Sequence, residues 1–348
     1  MRVSDGMVTC AAFIVAVVAA AGCEQLAGRS ENRKGNTAFH EMKFAAAVAH
    51  FERAIRRVDD PIIHYNLALA YSKVFKQGAE GSVVIDRMAL GSGACQAVPG
   101  VAVVSKRVCV KQGDAHWTEC DSAHSCATGF RCEAAELCTL DNKKLADLAT
   151  DHFAVWLESH PADSETRSLM TQVWIDSGQY PKAIAYWEQL DRATPNNPSI
   201  MGNLAGINLK ANQWQKSIEW YLRVAANSVE RSAKVAAYQF IGNVAWSKLH
   251  GKTLTREQAV ELADRGVSAL QQAVELQPEN AKLYALMGSI YGFRALQQGA
   301  SWAGGIDRAA ALDLQSKSRV ISDRAKQEAA GSGHTSAAPS VQTSPPAP

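Results

Sequence analysis

The sequence contains 348 residues, of which 47% are hydrophobic and 20% are charged. These values are typical of a globular protein with enough apolar residues for a sizeable core. The formal net charge is +2, which excludes the strongly basic composition of a general nucleic-acid-binding protein. After the N-terminal segment, no apolar run is long enough to cross a bilayer.

Residues 1–22 have the pattern of a signal peptide. Arg2 supplies a positive charge, and the run from Met7 to Ala21 is almost wholly apolar but shorter than a typical spanning helix. A hydrophobic run that ends in small residues is an export signal. We therefore expect the rest of the chain to leave the cytoplasm.

The end of this segment resembles the bacterial lipobox. It reads Ala20-Ala21-Gly22-Cys23, with alanine where leucine usually stands. The resemblance implies that Cys23 is acylated and becomes the mature N-terminus. Glu24 follows the cysteine and implies sorting to the outer membrane, with the chain facing the periplasm or the cell surface. The alternative is ordinary cleavage near Ala21, which would leave Cys23 as a spare thiol.

The next segment joins this anchor to the first helices. Residues 23–33 are polar and rich in small residues, so we predict a lipidated tether there. Helices are expected to begin near Gly35. Residues 34–77 then hold a first helix pair and the first helix of a second pair, which starts at Pro61, a good first helical residue.

Residues 78–141 interrupt the helical pattern, which returns from Leu145 to His160. We interpret this as a cysteine-rich insertion between the two helices of the second pair. Its six cysteines are Cys95, Cys109, Cys120, Cys126, Cys132 and Cys138. An even number of cysteines in a short exported stretch predicts three disulfides, because few large apolar side chains are available to stabilise it.

Zinc binding is the competing interpretation of these cysteines. Structural zinc sites usually contain thiolates two to four residues apart. No CxxC motif occurs in the insertion, and its only histidines are His116 and His124. The spacing therefore favours disulfides and no metal, but it cannot choose among the possible pairings.

The stretch Ser164–Asn197 contains two amphipathic helices. A turn at Gly178 joins them, and Pro195 ends the second. This 34-residue unit resembles the tetratricopeptide repeat, whose consensus positions are occupied by Gly178, Tyr180, Ala183, Trp187 and Pro195. A similar unit spans Ser199–Ser228, with Asn212 at the turn. The alternative is an unrelated helical domain with chance matches.

The C-terminal part continues the helical pattern. A longer pair spans Ala233–Pro278, and another first helix follows from Leu283 to Tyr291. Gly299–Gly305 is predicted as a loop, and Ile306–Gln327 as a charged capping helix. Residues 142–328 therefore hold the remaining pairs and the cap.

Residues 329–348 are rich in Gly, Ser, Ala, Thr and Pro, and we predict a disordered tail. For the rest of the chain, the resemblance implies an all-α fold. It would be a right-handed superhelical solenoid of helix pairs, with a small disulfide-rich insertion.

In the repeat family, the first helices of the pairs line a concave groove. By resemblance, this groove would contain Gln172, Asp176, Lys210, Gln239, Asn243, Trp246, Ser289 and Phe293. Mixed polar and aromatic groups suit an extended peptide or a helix. The alternative is that each is simply a solvated or packed helix residue.

The sequence contains no complete motif of a common catalytic site. His40-Glu41 opens like a zinc-protease helix, but Phe44 stands where the second histidine belongs. No GxSxG motif or phosphate-binding loop occurs. We therefore predict no catalytic residue, no cofactor and no metal.

Binding is the favoured function. We predict a lipid-anchored scaffold or adaptor that binds a protein or peptide of the cell envelope, for example in assembly of an envelope machine. Its contact with the membrane is through the N-terminal lipid, and no nucleic acid is expected. One alternative is that the insertion is the ligand- or surface-binding module and the repeats display it. The other is an enzyme or enzyme subunit.

Cys23→Ala is expected to move the protein from the membrane fraction to the soluble fraction. One acyl chain gives only marginal membrane binding, whereas several give stable attachment, so loss of the acylated residue should release the chain. Cell fractionation measures this, and mass spectrometry identifies the mature N-terminus. An unmodified N-terminus at Cys23 or Glu24 would contradict lipidation.

Overall fold

A computed structural model describes residues 24–87, 98–111, 118–121, 124–251 and 254–332. The chain forms two compact units, Met1–Gln179 and Tyr180–Pro348. Within the described residues, no helix is both long and apolar enough to cross a membrane. The predicted signal peptide and Cys23 lie outside these residues.

The described residues of the N-terminal unit form five helices. They are α1 (24–40), α2 (Phe44–Ile55), α3 (Pro61–Val74), α4 (Asn142–Ser159) and α5 (Ser164–Asp176). Helix α3 packs between α2 and α4, and α4 also packs against α5. The predicted second pair is therefore α3 and α4, and the insertion lies between its two helices.

The predicted tether at residues 23–33 is wrong for the described part, because α1 already includes residue 24. The polar side chains of α1 form hydrogen bonds within this helix and with α2. The Glu31 carboxylate accepts hydrogen bonds from Lys34 at 2.7 Å, His50 at 2.8 Å and Arg53 at 2.9 Å. Burial alone raises the pKa of Glu31, but these bonds outweigh it and lower the pKa to about 2.

The insertion is a four-stranded antiparallel sheet. Its strands are β1 (Ser82–Arg87), β2 (Ala102–Val110), β3 (Thr118–Glu119) and β4 (Arg131–Asp141), in the order β1-β4-β2-β3. Its small core contains Val108, Ala135 and Leu137. The sequence predicted a disulfide-rich insertion but not its sheet.

The two ends of the insertion meet at Asn142. Ser82 at the start of β1 pairs with Asp141 at the end of β4. The Asn142 amide donates to the carbonyls of Lys76 at 2.6 Å and Ala79 at 2.8 Å, and its oxygen accepts from the Lys76 backbone N–H at 2.9 Å. These bonds connect the end of α3 to the start of α4.

Two disulfides lie side by side in the sheet. Cys109 is bonded to Cys126, and Cys120 is bonded to Cys132. Cys109 and Cys132 are opposite each other on β2 and β4, so the two bonds attach the segment between β3 and β4 to both strands. Cys138 is also disulfide-bonded, and Cys95 lies outside the described residues.

In the C-terminal unit, seven helices lie within residues 180–251 and 254–332. They are α6 (Tyr180–Ala193), α7 (Pro198–Lys210), α8 (Trp214–Asn227), α9 (Arg231–His250), α10 (Arg256–Leu276), α11 (Ala281–Gln298) and α12 (Trp302–Ser332). Each helix contacts the next one along the chain. The predicted fold class, helix pairs with a small disulfide-rich insertion, is confirmed.

Glycines allow α9 and α10 to pack closely. A Cβ atom at Gly242 of α9 would lie 2.8 Å from Leu270, and one at Gly266 of α10 would lie 2.6 Å from the Cβ atom of Ala245. Neither position has room for a larger side chain without movement of the helices. The core of this unit is built around that contact and includes Leu262, which is fully buried.

The last helix is longer at both ends than its sequence predicted. It begins at Trp302, inside the predicted loop Gly299–Gly305, and it ends at Ser332, inside the predicted tail 329–348. A Cβ atom at Gly304 would lie 2.4 Å from the Gly299 carbonyl oxygen, so glycine permits the tight start of the helix. Residues 333–348 lie outside the described residues.

Peptide mapping without reduction is expected to recover Cys109 joined to Cys126 and Cys120 joined to Cys132. Replacing Cys109 and Cys126 by serine should lower the free energy of unfolding of the insertion by about 3 kcal/mol, as for a closed loop of about 15 residues. The helical circular dichroism signal should persist, because the described helices contain no cysteine. Free thiols with bound zinc would contradict this prediction.

Candidate functional site

The predicted groove residues fall in both units. On α5, in the N-terminal unit, the Gln172 amide donates to the Asp176 carboxylate at 2.6 Å. Gln77 donates to the same carboxylate oxygen at 3.0 Å. Gln172 and Asp176 are therefore hydrogen-bonded within the N-terminal unit.

The other six predicted residues lie on three helices of the C-terminal unit, α7, α9 and α11. They are Lys210, Gln239, Asn243, Trp246, Ser289 and Phe293. All six are exposed or half-buried. Ser289 donates its hydroxyl to the Ala285 carbonyl at 2.9 Å, so its hydrogen goes to its own helix. The structure therefore places these residues at the surface of the C-terminal unit.

Helical spacing explains why α9 contributes three of them. Gln239, Asn243 and Trp246 recur at intervals of four and three residues and so share one side of the helix. Gly242, next to them in sequence, faces α10. The close contact with α10 thus leaves the polar and aromatic positions of α9 to solvent.

An aromatic cluster joins α9 to α11. The Trp246 ring, whose residue is 40% exposed, stacks on the His250 ring, with centroids 5.3 Å apart and an angle of 8° between the planes. The ring of Phe293, on α11, lies edge-on to the His250 ring, with the two ring centroids 5.9 Å apart. The structure therefore brings two predicted residues together through His250, which was not among the predicted site residues.

Two basic residues lie near the turn that follows α7. The Lys248 ammonium donates to the side-chain oxygen of Asn212 at 2.5 Å, which connects the end of α9 to this turn. Lys210 is the last residue of α7, two positions before Asn212. Lys248 is two positions from both Trp246 and His250, so it lies on a different side of α9 from those rings.

A second aromatic contact involves the half-exposed Phe240, which stacks on Tyr221 of α8 with ring centroids 5.1 Å apart. Burial raises the pKa of the Tyr221 hydroxyl, so it stays neutral at physiological pH. The pair of Phe240 and Tyr221 adds apolar surface to α9 without adding charge.

The N-terminal unit contains a buried polar cluster. Tyr71 donates its hydroxyl to the Glu52 carboxylate at 2.6 Å. His64 and His152 approach through their Nδ1 atoms at 2.7 Å, and His64 Nε2 lies 2.9 Å from Asp59. Burial raises the pKa of both Glu52 and Tyr71.

This cluster contains the residue types of an acid–base site, but it is not accessible to a substrate. Tyr71 is fully buried and Glu52 nearly so. The adjacent cavity, which Tyr71 lines with Leu145, is apolar and too small to admit water. A substrate could not reach the buried groups, so their hydrogen bonds serve packing in this structure.

Three cysteine sulfurs also lie close together. Those of Cys109, Cys120 and Cys126 are within 4.8 Å of one another, a spacing that could suit a metal ion. All three take part in disulfides. A sulfur in a disulfide is not a thiolate, and zinc requires thiolate ligands.

A family model described as tetratricopeptide repeat matches residues 175–230. The predicted resemblance is thus confirmed over this stretch, which includes all of α6, α7 and α8. No curated protein sequence matches the chain significantly.

Several solved structures align with the chain at low similarity. A TPR repeats protein from Bacteroides fragilis NCTC 9343 aligns over 76% of this chain and 97% of its own, with 13% identity and a TM-score of 0.40. MamA 41-end from Desulfovibrio magneticus RS-1 aligns over 52% and 87%, with 19% identity and a TM-score of 0.34. BtubC from P. vanneervenii aligns over 93% and 98%, with 12% identity and a TM-score of 0.33. These values carry no information about partners.

The buried histidine pair predicts a pH dependence of stability. Burial, and then the nearby His64, lower the pKa of His152 from 6.5 to about 4. The unfolded chain therefore binds more protons than the folded chain between these pH values. Acidification from pH 7 to pH 5 should reduce the free energy of unfolding by about 2 kcal/mol.

Urea denaturation at the two pH values measures this loss. His152→Asn keeps a polar atom near the Nδ1 position and should remove most of the pH dependence. His40→Asn changes an exposed histidine and should leave it unchanged. The raised pKa of Glu52 acts in the opposite direction, but equally in all three proteins. An unaltered pH dependence in His152→Asn would contradict the assignment.

Proposed function

We propose that the protein is an exported, lipid-anchored scaffold that binds another protein of the cell envelope through α7, α9 and α11. The observation that carries this proposal is the aromatic cluster formed by the exposed Trp246 and His250 with the half-buried Phe293. Partly exposed aromatic residues are enriched at protein interfaces, where they lose little conformational entropy on binding. They lie on the same type of helix that lines the groove in the repeat family.

The chemistry of the surrounding surface also supports a peptide ligand. Asn243 and Gln239 offer amide donors and acceptors along one side of α9, suited to the backbone of an extended segment. Within the described residues, the acid–base cluster of Glu52 and Tyr71 is closed to substrates. We therefore propose a binding function.

Export is supported by the disulfides of the insertion. Disulfides persist in oxidising compartments and are rare in the cytosol of mesophiles. Together with the N-terminal apolar run and Cys23, they favour an envelope location with the lipid as the membrane anchor. The partner is then another envelope protein.

The sheet insertion is the second candidate for the binding module. Val84 and Val103 on its strands are 38% and 49% exposed, so the sheet also offers apolar surface. Since its two ends meet at Asn142, residues 82–141 can be replaced by a short linker without separating α3 from α4. This deletion tests the second candidate directly.

Trp246→Ala and Phe293→Ala are each expected to weaken capture of the native partner about thirtyfold, since an interface anchor commonly contributes about 2 kcal/mol. Melting temperature is measured on the same samples. A residue packed in the core would cost about 3–5 kcal/mol of stability, and the melting temperature would fall clearly. Trp302→Ala is the matched control, because Trp302 is 86% exposed and lies on α12.

Lost capture with unchanged melting supports the proposal. A large fall in melting temperature would assign Trp246 and Phe293 to the core. Normal capture by both variants, with capture lost on deletion of residues 82–141, would move the binding function to the insertion.

A further inference from the structure

Several cysteines of the insertion point to the same face of the sheet. Cys109 on β2 lies opposite Cys132 on β4 and opposite Thr118 on β3. The backbone N–H of Cys120 continues the pairing of β3 with β2, because it donates to the Arg107 carbonyl at 3.0 Å. Residues two positions apart on a strand point to the same face. Cys120 therefore shares this face with Cys109 and Cys132.

The sulfur atoms of the two disulfides are close to each other. The Sγ atom of Cys120, which is bonded to Cys132, lies within 4.8 Å of the Sγ atoms of both Cys109 and Cys126. In thiol–disulfide exchange, a thiolate attacks one sulfur of a disulfide and displaces the other. If the bond of Cys120 is opened, its thiolate is already beside the second disulfide.

The same four cysteines can form a second pairing. Cys109 and Cys132 are opposite each other in the ladder, and the Cα atoms of such partners are about 4.5–5.5 Å apart, as in many disulfides. The remaining two, Cys120 and Cys126, have sulfurs within 4.8 Å of each other. Cβ atoms of opposite residues are usually farther apart than the about 3.8 Å of a disulfide. The second pairing is therefore strained, and the observed pairing is the major form.

Exposure determines which sulfur an external thiolate can attack. Cys126 and Cys132 are half-buried, whereas Cys109 and Cys120 are buried. Each disulfide thus joins one accessible sulfur to one inaccessible sulfur. Attack at Cys132 displaces Cys120, which is the sulfur that lies beside the other bond.

We propose that Cys109, Cys120, Cys126 and Cys132 form a thiol–disulfide exchange site, at which the thiolate of an external thiol converts the observed pairing into the second one. The external thiolate bonds to the Cys132 sulfur and displaces the Cys120 thiolate. The Cys120 thiolate then bonds to Cys126 and displaces the Cys109 thiolate. Finally, the Cys109 thiolate bonds to Cys132 and displaces the external thiolate. Each step forms one S–S bond and breaks one, so no oxidant or reductant is consumed.

Exchange at this site releases the segment between β3 and β4. In the observed pairing, Cys126 attaches this segment to β2 and Cys120 attaches its start to β4. In the second pairing, these two cysteines are bonded to each other, and neither holds the segment to a strand. The surface of the insertion therefore changes while its number of disulfides stays the same. This proposal is independent of the binding function proposed for α7, α9 and α11.

The variant Cys132→Ser tests the central step, because it leaves Cys120 as a free thiol beside an intact disulfide. At pH 8, where a thiol is partly ionised, the thiol label N-ethylmaleimide should appear on both Cys120 and Cys109. Mass spectrometry of peptides prepared without reduction should also detect Cys120 bonded to Cys126. The proportions should not depend on protein concentration, because the exchange is intramolecular. The four cysteines are separated by cleavage at Lys111, Asp121 and Arg131.

The wild-type mature protein tests the whole reaction without a substitution. Reduced glutathione at low concentration should produce a minor fraction with Cys109 bonded to Cys132 and Cys120 bonded to Cys126. Hydrogen exchange of residues 124–130 should rise as this fraction accumulates. The matched control is Cys120→Ser, Cys132→Ser, which keeps the bond between Cys109 and Cys126 and should form no new pairing. Label on Cys120 alone in the single variant, or no second pairing in the wild type, would overturn the proposal. Unchanged hydrogen exchange would overturn the release of the segment.

Discussion

Asn142 and the adjoining β1–β4 pair hold together the two points at which the insertion leaves and rejoins the helices. The Asn142 side chain satisfies backbone groups of Lys76 and Ala79, and Asp141 beside it caps the first turn of α4. The backbone groups at both ends of the insertion are hydrogen-bonded in this way. The helices α3 and α4 can therefore pack as neighbours despite the chain between them. The buried contacts of Tyr71 and the packing of α5 on α4 depend on that arrangement. The N-terminal unit is thus a stack of helices whose continuity is maintained by one buried amide and one pair of strands.

In the C-terminal unit, close packing and surface chemistry are assigned to different sides of the same helices. Gly242 and Gly266 let α9 and α10 approach closely, and this contact accounts for much of the buried core. The remaining side of α9 carries amide and aromatic groups, and its rings contact Tyr221 of α8 and Phe293 of α11. The same separation extends to charge, since the first helices α7, α9 and α11 contain no acidic residue. A binding surface can therefore vary in sequence without disturbing the core.

Features that follow from local periodicity were predictable, whereas those that depend on distant partners were not. The helix pairs follow from apolar spacing and turn residues, and Asn212 adopts the positive φ of 60° that its position requires. The polar stretch around Glu31 indicated a tether, because its partners on α2 cannot be identified from spacing. The sheet was not predicted because residues 78–141 were interpreted from their cysteines. The pairing of Cys109 could not be predicted because it depends on the register of the strands. His250 was missed because only the fold brings it between Trp246 and Phe293.

The insertion also has a consequence for the order of folding. In an ordinary helix pair a short turn brings the second helix to the first, but His64 of α3 meets His152 of α4 across 88 positions. Closing a connection of roughly sixty residues costs about 2 kcal/mol more than closing a short turn. A sheet that forms first removes most of that entropic cost, because β1 and β4 deliver their ends to the same place. Formation of the sheet and oxidation of its cysteines before α3 and α4 pair would therefore favour the packing of these helices, which links their assembly to the redox state of the folding compartment.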